Sequence, residues 1–179
     1  HKEYRRQRQM CIRDSSAGIF NFPQYAFDYV RPGIALYGIT PIVGKNPADY
    51  NLKPVMTLRS TIIAIQKLKK GDCVGYGARF FCPEDMPVGI VTIGYGDGYP
   101  ITANNTTPVL VEGRLCNLVG RVSMDMLAVD LRPAPDVKIG DRVVLWGNGL
   151  PVEQVAQNSQ TIPWSLLTSI QHRVKFDWI

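Results

Sequence analysis

The pattern of apolar and polar positions divides the chain into a short mixed region and a long region of strands. From Pro54 onward, short segments rich in Thr, Val, Ile and Leu are separated by Gly and Pro turns. Strands at this spacing are typical of an antiparallel barrel or sandwich. The predicted strands are residues 56–68, 88–95, 109–111, 114–119, 126–131 and 142–146, with Glu112-Gly113 as a hairpin turn.

Two short helices and a final strand are predicted near the end of the chain. Residues 151–157 carry apolar side chains on one helical face, and a second helix begins with Thr161 as N-cap and Pro163 in its first turn. The alternation over residues 174–178 predicts a half-buried strand. The inward-facing helical residues are predicted to be Val152, Val155, Ala156, Leu166, Leu167 and Ile170.

The region before residue 46 has a different pattern. The apolar run Ile34-Ala35-Leu36-Tyr37-Gly38 is short enough for a buried strand. Continuous apolar strands of this kind occur in parallel sheets covered on both faces, so this run is interpreted as the last strand of a larger sheet. The predicted organisation is a non-native or disordered segment (1–15), the end of an α/β domain (16–45) and a β domain (46–179).

Two segments of the β region repeat the same local pattern. Lys70-Gly71-Asp72 and Ile139-Gly140-Asp141 each precede a short apolar segment. In both, Gly-Asp predicts a turn that leads into a strand. Two copies do not make a repeat protein, and we interpret them as one turn used twice.

Composition and charge exclude several function classes. Residues 1–14 carry five basic and two acidic residues, which is +3 of the total net charge of +5, so the rest of the chain is nearly neutral and nucleic-acid binding is not predicted. No apolar run is long enough for a membrane helix, which favours a soluble, cytoplasmic protein. The cysteines and histidines lie at no metal-ligand spacing, so no metal site is predicted.

Four clusters at strand ends or glycine turns are candidates for chemistry, because such positions display functional side chains on a rigid scaffold. Each cluster alone is a weak signal. A Gly-Tyr-Gly is most often a turn with a packed ring, and Met124 by itself is most often part of a core. The clusters are Arg31-Pro32-Gly33-Ile34, Gly75-Tyr76-Gly77, Gly94 to Tyr99, and Gly120 to Met126.

In this order and spacing, the four clusters resemble alanine racemase, a pyridoxal-phosphate enzyme that supplies D-alanine for peptidoglycan. The resemblance covers residues 16–179 and is most specific at 31–37, 95–100 and 119–126. It implies a homodimer in which an α/β (TIM-type) barrel carries the cofactor and precedes a β-barrel-like domain. This chain would hold the last elements of the barrel and the whole second domain.

The resemblance also implies a role for Tyr76. Racemisation needs two bases on opposite faces of the substrate aldimine. In the family one is the cofactor lysine and the other is a tyrosine from the partner subunit, which Tyr76 matches. A phenol is a weak base near neutral pH, so a cationic neighbour must favour its phenolate.

The remaining site residues follow by the same matching. Arg31 matches the arginine that donates to the cofactor's pyridine nitrogen, although an ordinary structural ion pair is the alternative. The phosphate is expected at Ser16 and at the backbone N–H groups of Gly33 and Ile34. Met124 matches a residue whose backbone contacts the substrate carboxylate. Tyr95 and Arg121 resemble residues of the access channel, for which packing and surface charge are the alternatives.

The sequence also departs from the family pattern. Trp164 stands where the family usually has a tyrosine that contacts the phosphate, and Ile101 stands where an arginine is common. No lysine lies in a context that resembles the Schiff-base motif, so the chain alone is expected to be inactive. The alternatives are a serine or broad-specificity racemase, and a free-standing β domain that acts in dimerisation or binding.

Overall fold

The computed structural model describes residues 15–25 and 29–178. The predicted non-native or disordered segment lies outside these residues, apart from Ser15. The chain divides into two compact units, His1–Val55 and Met56–Ile179. The predicted domain boundary at 45/46 falls inside the first of them.

The first unit contains short helical elements. Helix α1 spans Ser16–Asn21, and the Ser15 hydroxyl caps it by accepting a hydrogen bond from the Gly18 N–H. Three 3-10 helices follow at Pro23–Tyr25, Ile34–Tyr37 and Pro47–Tyr50. Asn46 and Asp49 form a reciprocal capping box at the last of them.

The prediction of a buried strand at Ile34–Gly38 is wrong. Hydrogen bonds from Leu36 N to Gly33 O (3.1 Å) and from Gly38 N to Ala35 O (3.0 Å) close a short helical turn. Gly38, with φ of 76°, ends the turn in the left-handed conformation. Only Ile34 of this helix is buried. The prediction failed because a short apolar run has no periodicity that separates a strand from a helix.

The second unit contains a closed antiparallel barrel, in which strands numbered along the chain are neighbours in the order first, fourth, seventh, sixth, fifth and eighth. The predicted mainly β fold is confirmed, and closure selects the barrel over the sandwich. The strands are β1 Leu58–Leu68, β2 Cys73–Val74, β3 Phe80–Phe81, β4 Met86–Val91, β5 Pro108–Val111, β6 Arg114–Val119, β7 Leu127–Asp130 and β8 Arg142–Trp146. Strands β2 and β3 form a separate two-stranded sheet.

The predicted hairpin turn between β5 and β6 is confirmed. Glu112 and Gly113 have φ of 46° and 78°, the left-handed pair that a two-residue hairpin requires. The barrel interior is filled by alternate residues of its strands, as a small barrel requires. Fully enclosed residues alternate at Val109 and Val111 in β5 and at Val143 and Leu145 in β8, and Val91, Val129 and Trp146 are fully enclosed as well.

Two helices follow the last barrel strand, as predicted. Helix α2 spans Val152–Asn158 and buries Val152, Val155 and Ala156. Helix α3 spans Pro163–Thr168 with Pro163 in its first turn. No helix among the described ranges is long and apolar enough to span a membrane.

Two details of this region differ from the prediction. The N-cap of α3 is Ile162 rather than Thr161, and Leu166 is its only fully buried residue. Residues 174–178 form no strand, and Trp178 is 90% exposed. The alternation there is real in sequence, but the segment has no strand pairing in the part of the chain that the structure describes.

Candidate active site

The cofactor residues predicted in the first unit lie close together. Ser16 opens α1, and its hydroxyl oxygen accepts hydrogen bonds from Gly33 N (2.8 Å) and Ala35 N (3.3 Å). An isolated parallel bridge between Ser15 and Arg31 places the start of α1 beside the Arg31 backbone. Residues far apart in sequence are thus joined around one serine.

A phosphate group beside this serine would need open space and hydrogen-bond donors. A Cβ atom added at Gly33 would meet no atom within 4 Å, so the space beside its backbone is open. A hydroxyl, backbone N–H donors and an open side are the features of an anion site. The Ser16 hydroxyl and the open side of Gly33 are compatible with a phosphate, and the Gly33 N–H, which donates to Ser16 Oγ here, would bind one by exchanging that partner.

Tyr76 stands at the tip of the β2–β3 hairpin and is 72% exposed. Gly75 and Gly77 flank it with φ of 78° and 75°, values that L side chains rarely adopt. These glycines end the strand and turn the tyrosine outward. Below the loop, Val74 belongs to a buried apolar cluster with Val119 and Met86, which anchors the hairpin on the barrel.

The Tyr76 loop (residues 75–79) contacts the Arg121 loop (residues 120–126). A Cβ added at Gly75 would lie 2.8 Å from the Arg121 backbone nitrogen. One added at Gly120 would lie 2.6 Å from the Val74 carbonyl oxygen. Both values are shorter than real Cβ contacts, so two glycines permit the backbones of these loops to touch.

The Arg121 loop also contacts Tyr95, through its residues 123 and 124. Tyr95 N donates to Ser123 O (3.0 Å), and Gly96 N donates to Met124 O (2.8 Å). The side chains of Tyr95, Arg121 and Met124 are all exposed. The structure therefore groups the four residues predicted in the second unit, with residues 120–126 in contact with both the Tyr76 and the Tyr95 loops.

The sequence analysis missed Arg173, which joins two of these loops. Its Nε donates to Asp97 Oδ1 (2.7 Å), and its Nη2 donates to Asp125 Oδ1 (2.6 Å) and to Met124 O (3.4 Å). The two carboxylates raise the pKa of the guanidinium further above its usual range. The acidic residues beside Tyr95 and Met124 were visible in the motifs, but their shared partner lies some fifty residues or more away.

The two departures from the family pattern lie at exposed positions. Trp164 lies in the first turn of α3, and Ile101 lies in the turn that follows Tyr99. Among the residues that the structure describes, neither side chain has a partner that would explain its identity.

Comparison with known proteins identifies the family. Residues 55–178 match the family model described as alanine racemase, C-terminal domain. The chain is 52% identical over 167 residues to an alanine racemase of Coxiella burnetii, which covers 90% of this chain and 46% of the relative. The chain thus spans about half the length of that relative.

Solved structures agree with this match. The biosynthetic alanine racemase of Pseudomonas aeruginosa superposes with a TM-score of 0.87 at 46% identity, over 89% of this chain and 45% of that one. The alanine racemase of Bartonella henselae with covalently bound pyridoxal phosphate gives 0.81 at 37% identity, over 92% and 45%. The predicted resemblance is confirmed: this chain belongs to the alanine racemase family and corresponds to its C-terminal portion.

Proposed function

We propose that this chain supplies the C-terminal portion of a cytoplasmic, homodimeric racemase that interconverts L-alanine and D-alanine for peptidoglycan synthesis. One observation carries the proposal beyond family membership. Tyr76, the residue matched to a catalytic base, is held outward between two left-handed glycines on a loop in contact with the Arg121 segment. A packed ring in an ordinary turn would not leave a tyrosine so exposed.

In this proposal Tyr76 moves one proton. Its phenolate oxygen takes the α-proton from L-alanine bound at the partner subunit and becomes a hydroxyl, which returns that proton to the same face in the reverse direction. Its exposure suits a group that reaches into a neighbouring subunit. In the part of the chain that the structure describes, no hydrogen bond holds its hydroxyl, which leaves the oxygen available to the substrate.

The other predicted residues bind and orient. When bound, pyridoxal phosphate supplies the electron sink that makes the α-proton acidic. Ser16, Gly33 and Ile34 hold its phosphate, and the Arg31 guanidinium donates toward its pyridine nitrogen. The Met124 backbone contacts the substrate carboxylate, and its carbonyl is already fixed by Gly96.

Tyr95 and Arg121 line the access channel in this proposal. Tyr95 is linked through its backbone to Ser123, and the Arg121 backbone abuts Gly75. Both positions therefore move with the loops that carry Met124 and Tyr76. A substrate that passed them would meet the carboxylate-binding and proton-transfer groups next.

A lysine outside these residues completes the site. None of the eight lysines of the chain lies in a sequence context that resembles the Schiff-base motif. We therefore propose that the purified 179-residue chain, mixed with pyridoxal phosphate, does not racemise alanine. Measurable turnover by the chain alone would contradict this.

The decisive experiment restores the missing portion. Residues 16–179 are fused to the N-terminal portion of the Coxiella burnetii relative, and racemisation is measured for alanine, serine and other small amino acids. We expect alanine to be the preferred substrate, with the intact relative as the control. A folded, cofactor-loaded fusion that leaves alanine unchanged would overturn the proposal, and a preference for serine would favour the alternative racemase.

A further inference from the structure

Asn105 links the Tyr76 loop to the Arg121 loop through its side chain. Its Oδ1 accepts a hydrogen bond from Gly120 N (2.8 Å), and its Nδ2 donates to the Arg79 carbonyl (3.5 Å). Gly120 and Arg79 belong to the two loops whose backbones touch at Gly75. One amide thus bonds to both sides of this contact.

Asn105 itself is held by a rigid turn. Asn104 Oδ1 accepts from Thr106 N (2.8 Å), and Asn104 N donates to the Thr107 hydroxyl (3.0 Å). The carbonyl of Thr107, a fully buried residue, accepts from Leu118 N (3.0 Å) in strand β6. The turn is therefore hydrogen-bonded to strand β6, and the Asn105 side chain links it to both loops.

The Tyr76 loop needs such support. Gly75, Gly77 and Ala78 all have positive φ, and Ala78 at 47° is in a conformation that is costly for a residue with a Cβ. Among the hydrogen bonds of the described residues, the bond from Asn105 is the one that ties residues 75–79 to a part of the chain outside the hairpin. The contact at Gly75 and Gly120 fixes the spacing of the loops but contains no directional bond.

We propose that Asn105 is a positioning residue for Tyr76, and that it sets the direction in which the tyrosine hydroxyl is presented to the substrate. The inference rests on the proposed function, because it assigns Tyr76 the proton transfer. Asn105 itself touches neither substrate nor cofactor. Its contribution is to make one geometry of a strained loop predominate.

The first test measures catalysis in the fusion enzyme carrying Asn105→Ala, with Asn117→Ala as the matched control. Asn117 is an exposed asparagine of the same barrel with no side-chain hydrogen bond among the described residues. We expect Asn105→Ala to lower kcat about ten- to hundredfold, because small misplacements of a catalytic group have effects of this size. KM for alanine should change less than about threefold.

An isotope effect separates positioning from general damage. Racemisation has an equilibrium constant of one, so kcat/KM must stay equal in the two directions. Misplacement of Tyr76 should nevertheless increase the deuterium isotope effect with 2-deutero-L-alanine, whose α-proton Tyr76 removes. It should lower the effect with 2-deutero-D-alanine, because the slowed Tyr76 step then follows the isotope-sensitive step. A variant that loses thermal stability but keeps both wild-type isotope effects would overturn the proposal.

A second measurement does not depend on activity. Hydrogen–deuterium exchange of the 179-residue chain should show faster exchange at Gly120, whose N–H donates to Asn105 Oδ1, in Asn105→Ala than in Asn117→Ala. Unchanged exchange there would overturn the proposal even if the fusion were inactive. Failure of the unmutated fusion to racemise alanine would count against the proposed function instead.

Discussion

Two turns of nearly identical structure are followed by segments that differ in burial: one is a core strand and the other an exposed loop. In the first, Lys69 N donates to Asp72 Oδ2 at 2.7 Å and Gly71 has φ of 90°. In the second, Lys138 N donates to Asp141 Oδ2 at 2.7 Å and Gly140 has φ of 97°. The prediction of one turn used twice is therefore confirmed.

The residues after each turn decide the difference. After Asp141, the chain continues into β8, a barrel strand in which Val143, Leu145 and Trp146 are buried. After Asp72, only two strand residues precede Gly75, and the chain turns outward to expose Tyr76. The same turn starts a core strand in one place and an exposed tyrosine loop in the other, so the turn sets direction and the following side chains set burial.

The largest expected effect is on racemase activity and comes from Tyr76, the exposed residue of this comparison. In the fusion enzyme, Tyr76→Phe should lower racemase activity about 10²–10⁴-fold, the range typical for a general acid–base group. Cofactor binding and the thermal midpoint should change little, because the hydroxyl is exposed. Racemisation assays and cofactor absorbance would check this, and activity within twofold of wild type would remove Tyr76 from the mechanism.

A substitution in β8, the core strand of this comparison, should lower stability. Leu145→Ala removes a side chain that is 0% exposed in β8 and should lower the free energy of unfolding by about 2–5 kcal/mol. Leu115→Ala, at a position 53% exposed in β6, is the control and should cost less than about 1 kcal/mol. Urea unfolding of the chain measures both, and equal losses would contradict the assignment of β8 to the core.

The two glycines beside Tyr76 separate backbone strain from steric contact. Both have similar positive φ, but an added Cβ meets Arg121 N at 2.8 Å only at Gly75 and meets no atom within 4 Å at Gly77. Gly77→Ala should cost about 1 kcal/mol of unfolding free energy, and Gly75→Ala about 1–3 kcal/mol more. Urea unfolding would reveal this, and equal costs would mean that the loops do not touch.

Because the two turns have the same structure, equivalent substitutions in them should lower stability by equal and smaller amounts. Asp72→Ala and Asp141→Ala each remove one exposed side-chain acceptor of a backbone N–H. Each should lower the free energy of unfolding by about 1 kcal/mol. A difference of more than about 1 kcal/mol between the two variants would show that the turns are not equivalent.

The smallest expected effect is a difference in reactivity between two cysteine thiols. Burial raises the pKa of Cys116 in β6 to about 11, whereas Cys73 in β2 is exposed. Because the thiolate is the reactive form, about one Cys116 in a thousand is ionised at pH 8. Alkylation followed by peptide mapping should modify Cys73 first, and Cys116 should react faster as the pH rises toward 11.

Much of the fold was predictable from local sequence. Strands β6 and β8, the Glu112-Gly113 turn and the buried face of α2 agree with the prediction, because each follows from periodicity or turn chemistry within a few residues. The predictions at residues 34–38 and 174–178 failed where a short apolar pattern had to be assigned without knowing its neighbours. Closure of the barrel was left open for the same reason.

The sequence by itself determined the family motifs and the turn at Tyr76, since the two flanking glycines can adopt the positive φ that such a turn uses, whereas the exposure of the ring was seen only in the structure. The tertiary structure alone decided how the motif loops support one another. Three kinds of contact join distant segments: the contact of Gly75 with the Arg121 loop, the link through Asn105, and the ion pairs of Arg173. Such contacts depend on where the closed barrel places its loop ends, and no local pattern encodes that position.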